Sequence, residues 1–410
     1  MTDTPTSASP AGIRGITYPR GFRAAGGTCG IKESGKPDLV LIVADRTCAA
    51  AAMFTTNKVP GAPVIVSRRH VKSGKARAIV INSGCSNVAT GKAGERDAET
   101  MCQTLAGHVG CPPTQVLVCS TGIIGRRLPM PKITPGIASL FGKLASGPAT
   151  DSAVATAILT TDLVTKTAFR AVTIAGKEVR IAGIAKGSGM IQPNMATMLA
   201  FITTDAAISA PMLRAGLKEA VNATFNRLSV DHDTSTSDSA MLLASAEAGN
   251  KPITAKGRAL AIFTTALKEV CAELAYQIVK DGEGATKVFR VNVTGARSVR
   301  DADRVGHTIT GSPLVKTAVH GADPNWGRLA MAVGRSGAAV DPAKLTLTIG
   351  GVTVFRKGVN LNADLAPLEA HMKGREITFD IDLGLGRHTA QWLGCDLSRQ
   401  YIAINADYTT

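Results

Sequence analysis

Between residues 37 and 122 short apolar runs alternate with turn residues: DLVLIVAD, AAAAMFTT, APVIVS, ARAIVINSG and VLVCSTG, with a helical pattern from Lys92 to Ala106 before the last. Apolar runs bounded by Gly, Pro, Asn or Asp read as buried strands, whereas a 3.6-residue period reads as an amphipathic helix. Beyond Pro135 the pattern is helical. FRAVTIAGKEVRIAG then offers two β-rich runs about an Ala-Gly-Lys turn, which predicts a hairpin. Downstream lie an apolar run from Met195 to Thr203, helical patterns near 209–224 and 256–280, and the strand patterns KVFRVNVTG, LTLTIGG and EITFDIDLG. Strands and helices in mixed order, with several hairpins, predict a layered α/β (α+β) architecture rather than an all-parallel sheet. The chain has no internal repeat, no GxxxxGK[ST] loop and no GxGxxG after a strand.

Composition narrows the class. The 410 residues suggest two or three lobes, and with 4% aromatics their cores must be built from Val, Ile, Leu and Ala. No apolar run approaches the roughly 18 residues of a membrane helix, so a soluble chain without a membrane partner is expected. Residues 1–13 lack the basic and apolar regions of a secretory signal and read as a flexible tail. Eight cysteines without CxxC spacing fit thiols in a reducing cytoplasm, giving a cytoplasmic location. The net charge of +15 resides almost wholly in one half: residues 1–196 hold 23 basic and 10 acidic side chains, residues 197–410 hold 23 and 21. Scattered basic residues with 16 aromatics do not make a nucleic-acid stripe. A carboxylate-bearing substrate or a simply solvated surface accounts for the charge equally well.

Four segments could carry chemistry. GIAKGSGMIQPNMATMLAFITTD (183–205) sets Lys186 in a glycine-rich loop suited to an anion, although a plain turn lysine is commoner, and Thr197 within it reads on composition as a strand former. CSTGIIG (119–125) places the Thr121 hydroxyl beside the Gly122 N–H, a pair able to stabilise an oxyanion, though an ordinary strand-to-helix turn explains it too. KDGEGATK (280–287) holds Glu283 between glycines just after a helix, suited to an amine unless it is a solvated or capping Glu. VDHDTSTSDS (230–239) gathers three Asp and one His; a metal or turn hydrogen bonding would account for it. No paired-His spacing and no GxSxG elbow is present.

Taken together these segments resemble the bifunctional ornithine acetyltransferase/glutamate N-acetyltransferase family of arginine biosynthesis. The resemblance rests on 183–206, supported by INSG at 81–84, CSTGIIG, TTD at 160–162, VDHDTSTSDS, KDGEGATK, GADPNWGR at 321–328 and the terminal NADYTT. It spans about Gly15 to Thr410. It implies a self-processing fold of the N-terminal-nucleophile kind, a sandwich of mixed β-sheets and helices. Cleavage between Ala196 and Thr197 would give an α chain (14–196 after the tail) and a β chain (197–410), assembled as an α2β2 heterotetramer. Thr197 would then carry acetyl from N-acetylornithine to glutamate by a ping-pong route, its α-amine serving as base. The resemblance assigns Thr121 and Gly122 to the oxyanion. It assigns Thr160 or Thr161, Lys186, Thr197, Glu283, Asn405 and Thr410 to substrate, with Lys186 and the C-terminal tail near its carboxylate and Glu283 near the ornithine side-chain amine. No metal or resident cofactor is implied, and acetyl-CoA is a possible second acetyl donor. Cys85, His232 and Ser237 depart from the family's usual residues. The rival expectation is an amidase or aminopeptidase of related fold, with water as the acyl acceptor.

Overall fold

The computed structural model of the chain describes residues 14–192 and 198–407. Its first sheet takes β1 (Phe22–Gly27), β2 (Leu39–Phe54), β3 (Lys75–Cys85), β4 (Val116–Ile123), β5 (Lys166–Ile174), β6 (Lys177–Lys186) and β7 (Leu199–Thr204). After the short β8 (Leu228–Ser229), β9 (Ser239–Ala244) returns to this sheet. The strand order is β4-β3-β2-β9-β7-β6-β5, with β1 paired to the first part of β2. Helices α1 (Ala62–His70), α2 (Gly91–Val109), α3 (Met130–Phe141), α4 (Pro148–Ala157), α5 (Ala210–Ala223) and α6 (Arg258–Lys280) pack around it. The second sheet, in order β13-β12-β11-β14-β10-β15-β8, adds β10 (Val288–Ala296), β11 (Thr346–Ile349), β12 (Val352–Arg356), β13 (Val359–Asn360), β14 (Glu376–Asp382) and β15 (His388–Cys395). With it come α7 (Val299–Thr310), α8 (Pro313–His320), α9 (Trp326–Gly334), α10 (Leu365–Met372) and α11 (Arg399–Asp407). This is the layered arrangement of mixed sheets and helices expected from the sequence.

The near-continuous apolar runs follow from a sheet buried on both faces, since successive side chains of a strand point opposite ways. Along β2, Val40, Ile42 and Ala44 enter one core and Leu39, Leu41 and Val43 the other, under α2 and α3. Along β7, Leu199 and Phe201 face the first of these cores, while Ala200 and Ile202 face α5 and α6. The predicted hairpin is β5–β6, and its central residues Ala175 and Gly176 both adopt positive φ, as a two-residue type I′ turn requires. The helical patterns near 209–224 and 256–280 are α5 and α6.

Three segments differ from a strand-by-strand reading. DLVLIVAD and AAAAMFTT form the single strand β2, whose register against β3 shifts between Val43 and Cys48. Asp45, Arg46 and Thr47 leave through that bulge to solvent. APVIVS is the helix α1, begun by Pro63 in its first turn, where a missing N–H is tolerated. Helix α3 starts at Met130, so Pro135 lies inside it rather than ahead of it. The second sheet builds its own core around Phe289, Val291, Phe379 and Trp392, and joins the first through Leu228, Val288 and Cys395, which share the core of α6.

Candidate active site

The parallel pair β3–β4 sets Gly84 level with Gly122. Gly122 has φ +126°, and a Cβ there would collide with the backbone of Gly84 and Cys85, so only glycine allows the two strands to close here. The INSG motif fixes this crossing. Asn82 donates to the Cys85 carbonyl at 2.8 Å and accepts from the Ser120 hydroxyl at 2.6 Å, and Ser86 holds the Ile123 carbonyl through both its amide and its hydroxyl. Thr121 and Gly122 thereby face a cleft of about 270 Å³.

Lys186 ends β6 and lies 8% exposed in the wall of that cleft. Its ammonium donates to Thr160 Oγ1 at 2.6 Å and stands 3.7 Å from Asp162. The Asp162 side chain is wholly buried. It accepts from the Gly187 amide at 2.6 Å and from Lys166 at 2.7 Å, and Lys166 in turn reaches Asp281 at 2.6 Å. Burial opposes the charge of Asp162, but Lys186, Lys166 and the hydrogen bonds to it outweigh burial and hold its carboxyl below the usual carboxylate range. Lys32 braces the same loop by donating to the Leu159 and Pro37 carbonyls, and burial, with Lys186 nearby, brings its ammonium down to about 8 against the pull of Asp38.

Glu283 projects into the cleft from the turn after α6, 8% exposed. Its carboxylate lies where a Cβ on Gly189 would be, and the Glu283 amide donates to the Ser188 carbonyl at 3.0 Å. Asn405 of α11 donates to Glu283 Oε2 at 2.9 Å. Of the C-terminal segment expected beside the substrate carboxylate, Asn405 meets Glu283, and residues 408–410 lie outside the described residues. The described part of the segment is helical, and Ser398, donating to the Gly284 carbonyl at 2.6 Å, docks it on the Glu283 turn.

VDHDTSTSDS forms much of the remaining wall, and its first Asp acts as a turn acceptor. Asp231 takes the Met190 and Ile191 amides at 2.6 and 2.7 Å, and no group of three or more potential metal ligands gathers among the described residues. Burial pushes the Asp231 carboxyl up, and burial together with Asp231 and Glu283 pushes the Tyr401 phenol up. Of the three family departures, Ser237 lines the cleft. Cys85 donates its thiol to the Arg126 carbonyl, and His232, at φ +73°, packs its ring on His307.

Thr121, Gly122, Thr160, Thr161, Lys186, Glu283 and Asn405 thus share one cleft. Ala196, Thr197 and Thr410 lie outside the described residues, but Met198 and Leu199, which follow Thr197 in the chain, line the same cleft. Sequence reasoning missed Lys166 and Tyr401, and it gave no role of its own to Asp281, inside KDGEGATK, while Asp238 was weighed only as part of a possible metal cluster. Turn chemistry explains such polar residues in or near a motif equally well.

A hydroxyl beside a backbone N–H, a buried ammonium and a buried carboxylate around one cleft are the groups that an acyl-transfer enzyme for a small amino-acid derivative would use. A family described as the ArgJ family matches residues 23–410. The arginine biosynthesis bifunctional protein ArgJ of Deinococcus radiodurans is 46% identical over 396 residues, 96% of this chain and 98% of that protein. The protein of the same name from Dehalococcoides mccartyi is 44% identical over 397 residues, 96% and 97%. Among solved structures, an ArgJ from Bacillus halodurans shares 40% identity over 51% of this chain and 98% of its own, with TM-score 0.49. The ornithine acetyltransferase of Mycobacterium tuberculosis, complexed with ornithine, shares 36% over 44% and 96%, with TM-score 0.40. The chain belongs to the ArgJ family, enzymes of arginine biosynthesis.

Proposed function

We propose that the chain cleaves itself between Ala196 and Thr197 and that Thr197 then moves acetyl from N-acetylornithine to glutamate. The supporting observation is the shared cleft: the oxyanion pair, Lys186, Glu283 and the residues directly after Thr197 line one wall-to-wall space. In the transfer step the Thr197 hydroxyl attacks the acetyl carbonyl, with its own α-amine, of pKa about 7.7 to 8.0, taking the proton. The Thr121 hydroxyl and the Gly122 amide receive the developing oxyanion. Lys186 and Thr160 hold the substrate α-carboxylate, Thr161 borders it, and Glu283, oriented by Asn405, takes the ornithine side-chain ammonium. Ornithine leaves, and the glutamate amine accepts the acetyl from the threonine ester. Thr410 would complete the substrate contacts at the end of the chain.

The working enzyme is then an α2β2 assembly in the cytoplasm, without a resident cofactor, and acetyl-CoA is a second acetyl donor to glutamate. Among the described residues no helix is long and apolar enough to cross a membrane. Denaturing electrophoresis with intact mass tests the proposal: wild type should give two fragments, the second beginning at Thr197, and Thr197→Ala a single chain. An uncut wild type would sink it. Ornithine release that is equally fast without glutamate would instead favour the hydrolase.

A further inference from the structure

The proposed transfer to glutamate sets the cleft a problem of charge. The glutamate amine must reach the acetyl group that the ornithine amine has left, so its α-carboxylate falls to Lys186 and its side chain runs toward Glu283. The side-chain oxygens of glutamate and the side-chain nitrogen of ornithine are the same number of bonds from Cα, and a carboxylate therefore arrives where an ammonium sat. The groups there suit the ammonium. Among the described residues that line the cleft Lys186 is the one cation, while Asp231, Asp233, Asp238 and Glu283 are all acidic. Carboxylates brought into contact disfavour each other's charge.

A neutral hydrogen-bond donor answers this need, and α11 carries one. Tyr401 lines the cleft with Glu283, and its backbone lies against Gly284, the next residue after it. Asn405, one turn further along the same face of the helix, donates to the Tyr401 carbonyl at 3.0 Å and to Glu283 at 2.9 Å, which occupies both of its side-chain N–H groups. The Tyr401 hydroxyl donates to Asp231. Asp231 does not depend on it, because the Met190, Ile191 and Asp233 amides already donate to its two oxygens at 2.6, 2.7 and 3.3 Å. A phenol O–H turns about its C–O bond, so it can be redirected to a second carboxylate while the ring stays in place. Burial, with Asp231, Glu283 and Asp233 nearby, pushes the phenol up, and the hydroxyl keeps the proton it has to share.

Resting on the acetyl-transfer reading above, we propose that Tyr401 is the residue that admits glutamate as acceptor: its hydroxyl turns from Asp231 and donates to the side-chain carboxylate of glutamate, which Glu283 alone would turn away. Glu283 selects the acetyl donor and Tyr401 the acceptor, from one end of the same cleft. While N-acetylornithine is bound, Tyr401 stays on Asp231 and leaves the ammonium to Glu283.

Ping-pong kinetics separate the two roles. In that scheme kcat/KM for N-acetylornithine reports the loading of acetyl and kcat/KM for glutamate its removal, and their ratio does not depend on how much of a preparation is folded and active. Tyr401→Phe should lower the ratio of the glutamate value to the N-acetylornithine value by tenfold to about a hundredfold, the weight of a hydrogen bond to a charged group. Glu283→Gln, which removes both the partner of the ammonium and the repulsion of the carboxylate, should raise that ratio. If wild type transfers acetyl and Glu283→Gln raises the ratio, an unchanged or raised ratio in Tyr401→Phe would overturn the role of Tyr401 alone. No transfer by wild type, or a ratio that Glu283→Gln leaves unchanged, would overturn the reading of the cleft and the role of Tyr401 with it.

Discussion

Gly189 and Glu283 occupy one volume: the carboxylate fills the space that any Cβ at position 189 would need. The clash is with the far end of a side chain, so Gly189→Ala should fold normally while displacing the carboxylate from Asn405. A misplaced charged hydrogen bond is worth about 1.5–3 kcal/mol. KM for N-acetylornithine in Gly189→Ala should rise on the order of tenfold to a hundredfold, with melting within a few degrees of wild type. Steady-state kinetics beside thermal melting would check it, and an unchanged KM would detach Glu283 from the amine. The residues around Glu283 also mark where single positions become opaque. Lys186 and Glu283 stood out because each is a charge among glycines. Asp162 and Asp281 lie within the TTD and KDGEGATK motifs but suggested no role of their own, because a carboxylate's value here depends on Lys166, which lies 115 positions from Asp281.

Among the elements, α11 shows how little burial a functional helix needs. None of its residues is buried, yet it brings Asn405 to Glu283 and sets its start on Gly284 through Ser398. Ending the chain after Ser398 should leave the melting temperature within a few degrees of wild type. It should lower kcat/KM for N-acetylornithine by at least about tenfold, because Glu283 would no longer accept the charge-assisted hydrogen bond from Asn405. A large drop in stability would make α11 a structural strut instead. Element by element, the sequence was readable where one period persisted: α5, α6 and the β5–β6 hairpin fall where the pattern and the Ala-Gly turn set them. It misled where two principles compete. APVIVS has the β-branched content of a strand, but Pro63 starts a helix there. Asp45 and Arg46 look like the end of a strand and instead leave through a bulge, after which β2 continues. Asn405 reads as part of a polar tail, since a helix with no buried face has no periodicity to betray it.

At the scale of the molecule, the proposed cut would divide the strands of one sheet between two chains. β7 and β9 come from residues after 197, yet they sit between β2 and β6, which come from before it. The ion network crosses the same division, with Asp162 and Lys166 on one side and Asp281 on the other. Lys166→Met would leave two buried carboxylates short of a partner and should reduce unfolding free energy by about 3–5 kcal/mol at neutral pH. The folded Asp162 is held below its ordinary value of 3.8, so its contribution exists above that value and is lost as pH falls past it. The deficit of Lys166→Met should therefore shrink in acid; urea titrations at neutral and acid pH would show this, and a deficit constant with pH would count against the pairing. The interleaving would also give the proposed cleavage a meaning beyond activation. β6 and β7, which flank residues 193–197 in the chain, pair only once β7 and β9 have been laid between their neighbours, so the proposed cut would record an assembled sheet. The ratio of cut to whole chain in a cell would then count the molecules that have finished folding, a tally the protein keeps on itself.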